Sequence, residues 1–192
     1  MGTKYAALVT TTLLLGISGV ASAQDGTYEL RLSTAQALTP GLPGFLSATS
    51  PGIGYNLDAK LLSLNLAGGI GYFFTDAVSA GIDLSFTYLN AEESSAYVFA
   101  FTPYAKYVSN MKDKGLGFFA EPALGIGVVG GGDDTFKYFT AGAWGGLHAF
   151  VSPSIAVLAG PYVSYLRFLE DGVGDKDSVQ LGLRFGLSAY LF

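Results

Sequence analysis

One histidine, His148, and no cysteine occur in the 192 residues. A Ser-His-Asp nucleophile or a His-based metal site would have to use that one imidazole. Its context, GGLHAF, lacks the HExxH spacing that sets two imidazoles and a general base on one helix face. Without Cys there is no thiolate nucleophile, thiolate metal site or disulfide framework. The glycine runs (Gly68-Gly69-x-Gly71, Gly125-x-Gly127, Gly130-Gly131-Gly132) join no strand to a helix and contain no GxxxxGK[ST], so they do not read as phosphate loops. The sequence therefore assigns no catalytic residue, no metal site and no cofactor, and His148 reads as an interfacial or interior side chain.

The carboxylates fall into two sets. Glu92, Glu93, Asp133, Asp134, Glu170, Asp171, Asp175 and Asp177 cluster in Gly- and Ser-rich stretches. Clustered carboxylates can hold a hard divalent cation through oxygen, and Glu92, Glu93, Asp133, Asp134, Asp175 and Asp177 are the candidate contacts. Their spacing matches no defined calcium loop, and solvated, self-repelling loops account for them better. The second set is Glu29, Asp83 and Glu121 with Arg31, Lys106 and Arg184, three acids and three bases, each embedded in an alternating apolar stretch.

Those stretches are the elements that must position the charges. In GIDLSFTYL, Ile82, Leu84, Phe86 and Tyr88 alternate with Gly81, Asp83, Ser85 and Thr87. The same period of two runs through LLSLNLAGGIGYF, YVFAFTPYAKY, FFAEPALGIGV and the terminal LGLRFGLSAYLF, and period two is the signature of a strand. Eight strands are expected, near 26–34, 61–74, 78–90, 96–108, 116–129, 136–150, 154–168 and 178–192. In the sixth and seventh the phase is unclear. Most span 13 to 15 residues, against a mode of about 5 to 6 in soluble proteins and about 9 to 11 for a tilted transmembrane strand.

Composition points the same way. The chain is 50% hydrophobic and only 13% charged, with a mean hydropathy of +0.41, whereas soluble domains are about 25% charged. Outside the N-terminus no run approaches the roughly 20 apolar residues of a membrane helix. Residues 1–23 have one base (Lys4), an apolar core and Ala21-Ser22-Ala23, the layout of a cleaved secretory signal. Without Lys4 the net charge of −5 becomes −6. The acidic balance and dispersed bases argue against nucleic acid.

In lipid every backbone amide must be bonded within the protein, so a membrane sheet closes on itself. The expectation for residues 24–192 is an all-β fold, an eight-stranded antiparallel transmembrane β-barrel. Tight connections (TDAV, VSPS) would lie at one end, and acidic Gly-rich loops, with the long 35–60 segment, at the other. Large apolar residues would face lipid. Glu29, Arg31, Asp83, Lys106, Glu121 and Arg184 would face a lumen just wide enough for side chains, where a balanced set can pair. Phe73, Phe74, Tyr107, Phe150 and Tyr190 at one end, and Tyr88 and Tyr97 at the other, would form aromatic girdles. Pro103 and Pro122 inside strands imply local bulges.

GIGYFFTDAVSAGIDLSF, FTPYAKYV and FFAEPALGIG resemble segments of the small bacterial outer-membrane β-barrel proteins of the OmpA-like group. The resemblance implies an outer-membrane location, lipid and lipopolysaccharide as surroundings, and a structural or surface role, or in some members a narrow channel. It implies a C-terminal strand read by the barrel-assembly machinery, for which Arg184, Gly186, Ala189 and Leu191 fit the pattern, with Phe192 one residue beyond it. Lipid-modifying barrels with a His-x-Ser element also exist, and His148 is followed by Ala149-Phe150 instead. The expectation is a monomeric, non-enzymatic outer-membrane protein with a plugged or narrow lumen. The alternative is a small porin-like channel for apolar or small polar solutes, with Leu38, Leu42, Phe45 and Leu46 at its mouth. A soluble lipocalin-type barrel would need apolar residues inside, against the strand lengths and hydropathy.

Overall fold

A computed structural model describes residues 26–37, 52–56, 61–91, 94–109, 115–131, 134–169 and 177–191. The segment expected as a signal peptide lies outside them, as do Glu92, Glu93, Asp133, Glu170, Asp171, Asp175, Phe192 and the four loop residues Leu38, Leu42, Phe45 and Leu46. Nine strands are present among the described residues: β1 (Tyr28–Ala37), β2 (Gly52–Asn56), β3 (Leu61–Phe73), β4 (Val78–Ala91), β5 (Ser94–Val108), β6 (Leu116–Gly131), β7 (Asp134–Ser152), β8 (Ile155–Phe168) and β9 (Asp177–Leu191).

Eight of them close a barrel. All neighbours are antiparallel in the order β1-β9-β8-β7-β6-β5-β4-β3, and β1 pairs with β3 to complete the ring. β1 lies along β9 from Tyr28↔Leu191 to Ala37↔Gly182. It stays with β3 only from Tyr28↔Tyr72 to Arg31↔Gly69. Farther out, β3 takes up the short β2 from Gly52↔Asn65 to Asn56↔Leu61. Between these two ladders Leu66, Ala67 and Gly68 have no strand partner on that edge among the described residues. β2 is the addition to the eight expected strands, inside the 35–60 segment.

The tight end is built by local chemistry. The Thr75 Oγ1 accepts the backbone N–H groups of Ala77 and Val78 (3.2 and 3.0 Å), which folds TDAV into a hairpin turn in the manner of Ser/Thr turns. Gly26, with φ of 93°, a conformation only glycine adopts freely, leads into β1 and donates its N–H to the Phe73 carbonyl (3.0 Å).

Leu30, Leu32, Ile70, Leu84, Phe101, Leu124, Ile126, Leu183, Phe185 and Leu187 all point outward and are exposed. A continuous apolar exterior of this kind is a lipid-facing surface, far beyond the few hundred Å² a soluble monomer shows. On β7 and β8 the inward phase is the even-numbered one: Tyr138, Trp144 and His148, then Ala156, Leu158 and Leu166 are buried. Of those inward residues Tyr138, Trp144, Leu158 and Leu166 are themselves large and apolar, so hydropathy does not alternate there and the phase is masked in the sequence.

The bulges expected at Pro103 and Pro122 do not form. Ile82↔Pro103 and Pro122↔Ala143 lie in unbroken register with their neighbours. Both prolines turn their missing donor toward the β5–β6 seam, where pairing passes from Phe101↔Ile126 to Tyr104↔Ala123 to Tyr107↔Ala120 without a shift. The cost is lost ladder bonds on one seam, not an inserted residue. Among the described residues the one register shift lies between Phe150 and Ser152.

Phe150, packed on the interior cluster, is not a girdle residue, and neither are Phe73 and Tyr190. The latter two are fully buried inside the barrel, ring edge to ring face at 5.8 Å. Tyr190 lies between outward-phase Ala189 and Leu191, and period two sends it inward. Tyr28, Tyr72 and Phe74 form the exterior aromatic stack at that end, with centroids 5.2 and 5.3 Å apart.

Where β7 meets β8, Gly146 and Gly160 approach so closely that a Cβ on either would stand 2.7 Å from the other's Cα. Gly160→Val should therefore weaken closure by about 1–3 kcal/mol, as overpacking does. On an SDS gel, the unboiled variant should show less of the folded, differently migrating band than the parent chain. A parental band pattern would refute this packing.

Candidate functional site

The lumen is layered from the tight end outward. At its base Phe73, Val108, Phe119, Trp144, Ala156, Leu158 and Tyr190 form an apolar cluster. His148 joins it, fully buried, with its Nε2 3.2 Å from the Tyr190 hydroxyl and its ring 4.8 Å from Phe150. No group of three or more His, Cys, Asp or Glu that could hold a metal occurs among the described residues.

All six charged residues of the alternating stretches point into the barrel, in two groups. In the lower one Lys106 Nζ donates to Glu29 Oε1, and so does the Ser188 hydroxyl. Both charged side chains are wholly buried. In the upper one Arg31 reaches two carboxylates from two other strands. Its Nε donates to Asp83 Oδ1 (2.7 Å), its Nη2 to Asp83 Oδ2 and its Nη1 to Glu121 Oε2. Arg184 Nη2 donates to Asp83 Oδ2 (3.1 Å) and to the Ser33 hydroxyl (2.6 Å), and Arg184 Nη1 lies 3.9 Å from Glu121. Asp83 and Glu121 each thus meet both guanidinium groups, and Arg31 grips Asp83 in the bidentate geometry at which Arg excels.

Two aromatic rings that the sequence did not single out brace the guanidinium groups. Arg31 lies over Tyr104 (3.8 Å to the centroid) and Arg184 over Trp144 (4.5 Å), the arrangement in which a ring face attracts a cation. Tyr104 occupies the space left by Gly71 and Gly81, where a Cβ would stand 2.5 Å from its hydroxyl oxygen. The signal for it is the register: Gly71↔Gly81 and Gly81↔Tyr104 put two inward glycines and the ring in one row.

Above the upper group lies a cavity of about 180 Å³, roofed by a second apolar cluster of Val98, Ala100, Tyr138 and Leu166. A shallow apolar hollow on the exterior sits at the place where β1 parts from β3, beside Leu32, Leu66, Leu84, Phe86 and Phe99. Ala67, Gly68, Leu84 and Ser85 border both spaces.

Of the acidic residues expected on loops, two are described. Asp134 opens β7 opposite Gly131. Asp177 Oδ1 accepts the Tyr165 hydroxyl (2.8 Å) and faces Arg167 Nε at 3.7 Å, so its partners are a phenol and a guanidinium. At the C-terminal strand Ala189 and Leu191 pair with Leu30 and Tyr28 of β1, and Gly186 pairs with Ser33.

The fold is that of the small outer-membrane barrels. The N-terminal β-barrel domain of Pseudomonas aeruginosa OprF is similar to this chain with a TM-score of 0.50 and 15% identity, covering 88% of this chain and 99% of that one. Neisserial surface protein A matches with a TM-score of 0.47 and 16% identity over 85% of this chain and 94% of its own. No family model matches the sequence, and no curated protein matches it either.

Removing one member of the lower pair strands the other charge in a dry interior, a loss of about 3–5 kcal/mol. Lys106→Met should lower the unfolding midpoint of the barrel in guanidinium chloride by a corresponding amount. The double variant Glu29→Gln/Lys106→Met should recover most of it. Equal midpoints for single and double variants would show that the two groups do not act as a pair.

Proposed function

We propose that this chain is a non-enzymatic, monomeric β-barrel of the bacterial outer membrane with a structural or surface-exposed role, its lumen closed by ion pairs. The supporting observation is the meeting of all six inward charges across the lumen, with Arg31 of β1 bridging Asp83 of β4 and Glu121 of β6. A balanced set of this kind fills the bore of an eight-stranded barrel and leaves no aqueous path. The exterior apolar belt and aromatic rims suit lipid and lipopolysaccharide as surroundings. The outward-phase Ala189 and Leu191 beside β1 suit a terminal strand handed over by the barrel-assembly machinery.

Two observations favour the channel alternative: the cavity above the ion pairs and the end of the β1–β3 ladder beside it. The two roles separate on one pair of measurements. For a closed structural barrel, the outer-membrane fraction carries a heat-modifiable band, the purified protein gives no steady conductance in planar bilayers, and Arg184→Met costs stability without opening a pore. A steady conductance that changes with Arg184→Met would overturn the closed lumen in favour of the channel. Protein recovered only from the soluble periplasm would overturn both.

A further inference from the structure

The cavity above the ion pairs is bordered by an arc of inward side chains in adjacent registers. Glu121 of β6 stands opposite Trp144 of β7, Trp144 opposite Tyr162 of β8, and Tyr162 opposite Gly182 of β9. Gln180 and Arg184 flank Gly182. All five side chains line the cavity. In each of them a buried polar atom has no hydrogen-bond partner: Trp144 Nε1, the Tyr162 hydroxyl, Gln180 Nε2, Arg184 Nε and Glu121 Oε1. Trp144, Gln180 and Glu121 are more than nine-tenths buried. Buried polar groups are rarely left unmet, and five that border one space point to a polar occupant of that space.

The groups are not equivalent. Four can donate and are carried by β7, β8 and β9, while the one pure acceptor, Glu121, stands at the β6 end of the arc. The occupant therefore needs an acceptor-rich end and a donor end. Its net charge is constrained too. Asp83, Glu121 and Arg184 line the cavity, and Arg31, paired with both carboxylates from outside the lining, brings the joined set to balance. A bare anion or cation would leave one charge uncompensated in a space of low dielectric. The size suits a small solute, since about 180 Å³ equals roughly six waters at about 30 Å³ each.

We propose that this cavity is a binding site for a small zwitterion, with its carboxylate held by Trp144, Tyr162, Gln180 and Arg184 and its ammonium by Glu121. Binding requires no passage through the ion pairs beneath, so the site stands or falls separately from the closed lumen.

Trp144 is the single tryptophan of the chain, so one indole N–H resonance reports on the site directly. The full chain in detergent micelles is titrated with glycine, and separately with acetate and methylammonium at matched ionic strength. Glycine should shift the indole signal saturably, and either half-molecule should bind at least about tenfold more weakly. Gln180→Leu, which spares the ion pairs, should weaken glycine binding by about tenfold, the worth of one hydrogen bond to a charged group. If that variant does not fold, Tyr162→Phe removes only a hydroxyl and should act in the same direction. No saturable shift with glycine would mean that water alone fills the cavity, and the proposal fails. It fails equally if acetate binds as well as glycine, or if the folded variant binds glycine like the parent.

Discussion

Everything in this molecule depends on the requirement that a sheet in lipid leave no backbone group unbonded. Closure of β1 on β9 and β3 meets it around most of the ring, the edge of β3 at Leu66, Ala67 and Gly68 and the proline positions of the β5–β6 seam excepted among the described residues. Closure at eight strands then fixes the bore. Inward positions on the narrow rows shrink to Gly, Ser and Thr, and where a large side chain does point inward its neighbours must yield. Tyr104 over Gly71 and Gly81, Tyr138 against Gly127 and Trp144 beside Gly186 are cases of it. The exterior has no such constraint, which is why the bulk of the Leu, Ile and Phe side chains is found there.

The same closure decides what the ion pairs can be. Arg31 and Glu121 are ninety residues apart in sequence, and Arg31 and Asp83 are fifty-two apart. Only the ring brings them together. Each charge lies on a strand whose other face is in lipid, so it has no route to bulk water except along the lumen. Burial of an unpaired charge there is prohibitive, so three acids require three bases on the same inner phase. The pairing therefore follows from closure, since it has no meaning in an open sheet.

How much of this could be read from the sequence differs from strand to strand. On β3, β4, β5, β6 and β9 apolar and small residues alternate cleanly, and the phase is legible. On β7 and β8 it is not, because Tyr138, Trp144, Leu158 and Leu166 are inward and as apolar as the exterior. Phe73 and Tyr190 were misassigned to a girdle for a related reason: aromatic character near a strand end says nothing about face, and only parity does. The prolines were misjudged because a strand can absorb a missing donor on one seam without a bulge. The six charges were identifiable by type and phase. Their partners were not, since register across the ring is a property of closure. Trp144 escaped because the phase of β7 is masked, and Tyr104, in phase with Lys106, because its place over Arg31 shows only once the opposing glycines are aligned.

The two charged layers differ in what borders them. Glu29 and Lys106 have no exposed side-chain surface, and they lie against the apolar cluster of Phe73, Tyr190 and His148. Asp83 and Arg184 retain 17% and 19% of theirs, because the upper layer borders the cavity. A dry pair gains nothing from solvent and loses heavily if broken, so the lower layer acts as the rigid floor. The upper layer has a side open to the cavity, and its cations are steadied by the faces of Tyr104 and Trp144 as well as by carboxylates. Trp144 is the hinge between the two regimes. One edge packs on Phe119 at 4.6 Å in the apolar cluster, its face carries Arg184, and its indole nitrogen has no partner. A single residue thus ties the dry floor to the polar chamber.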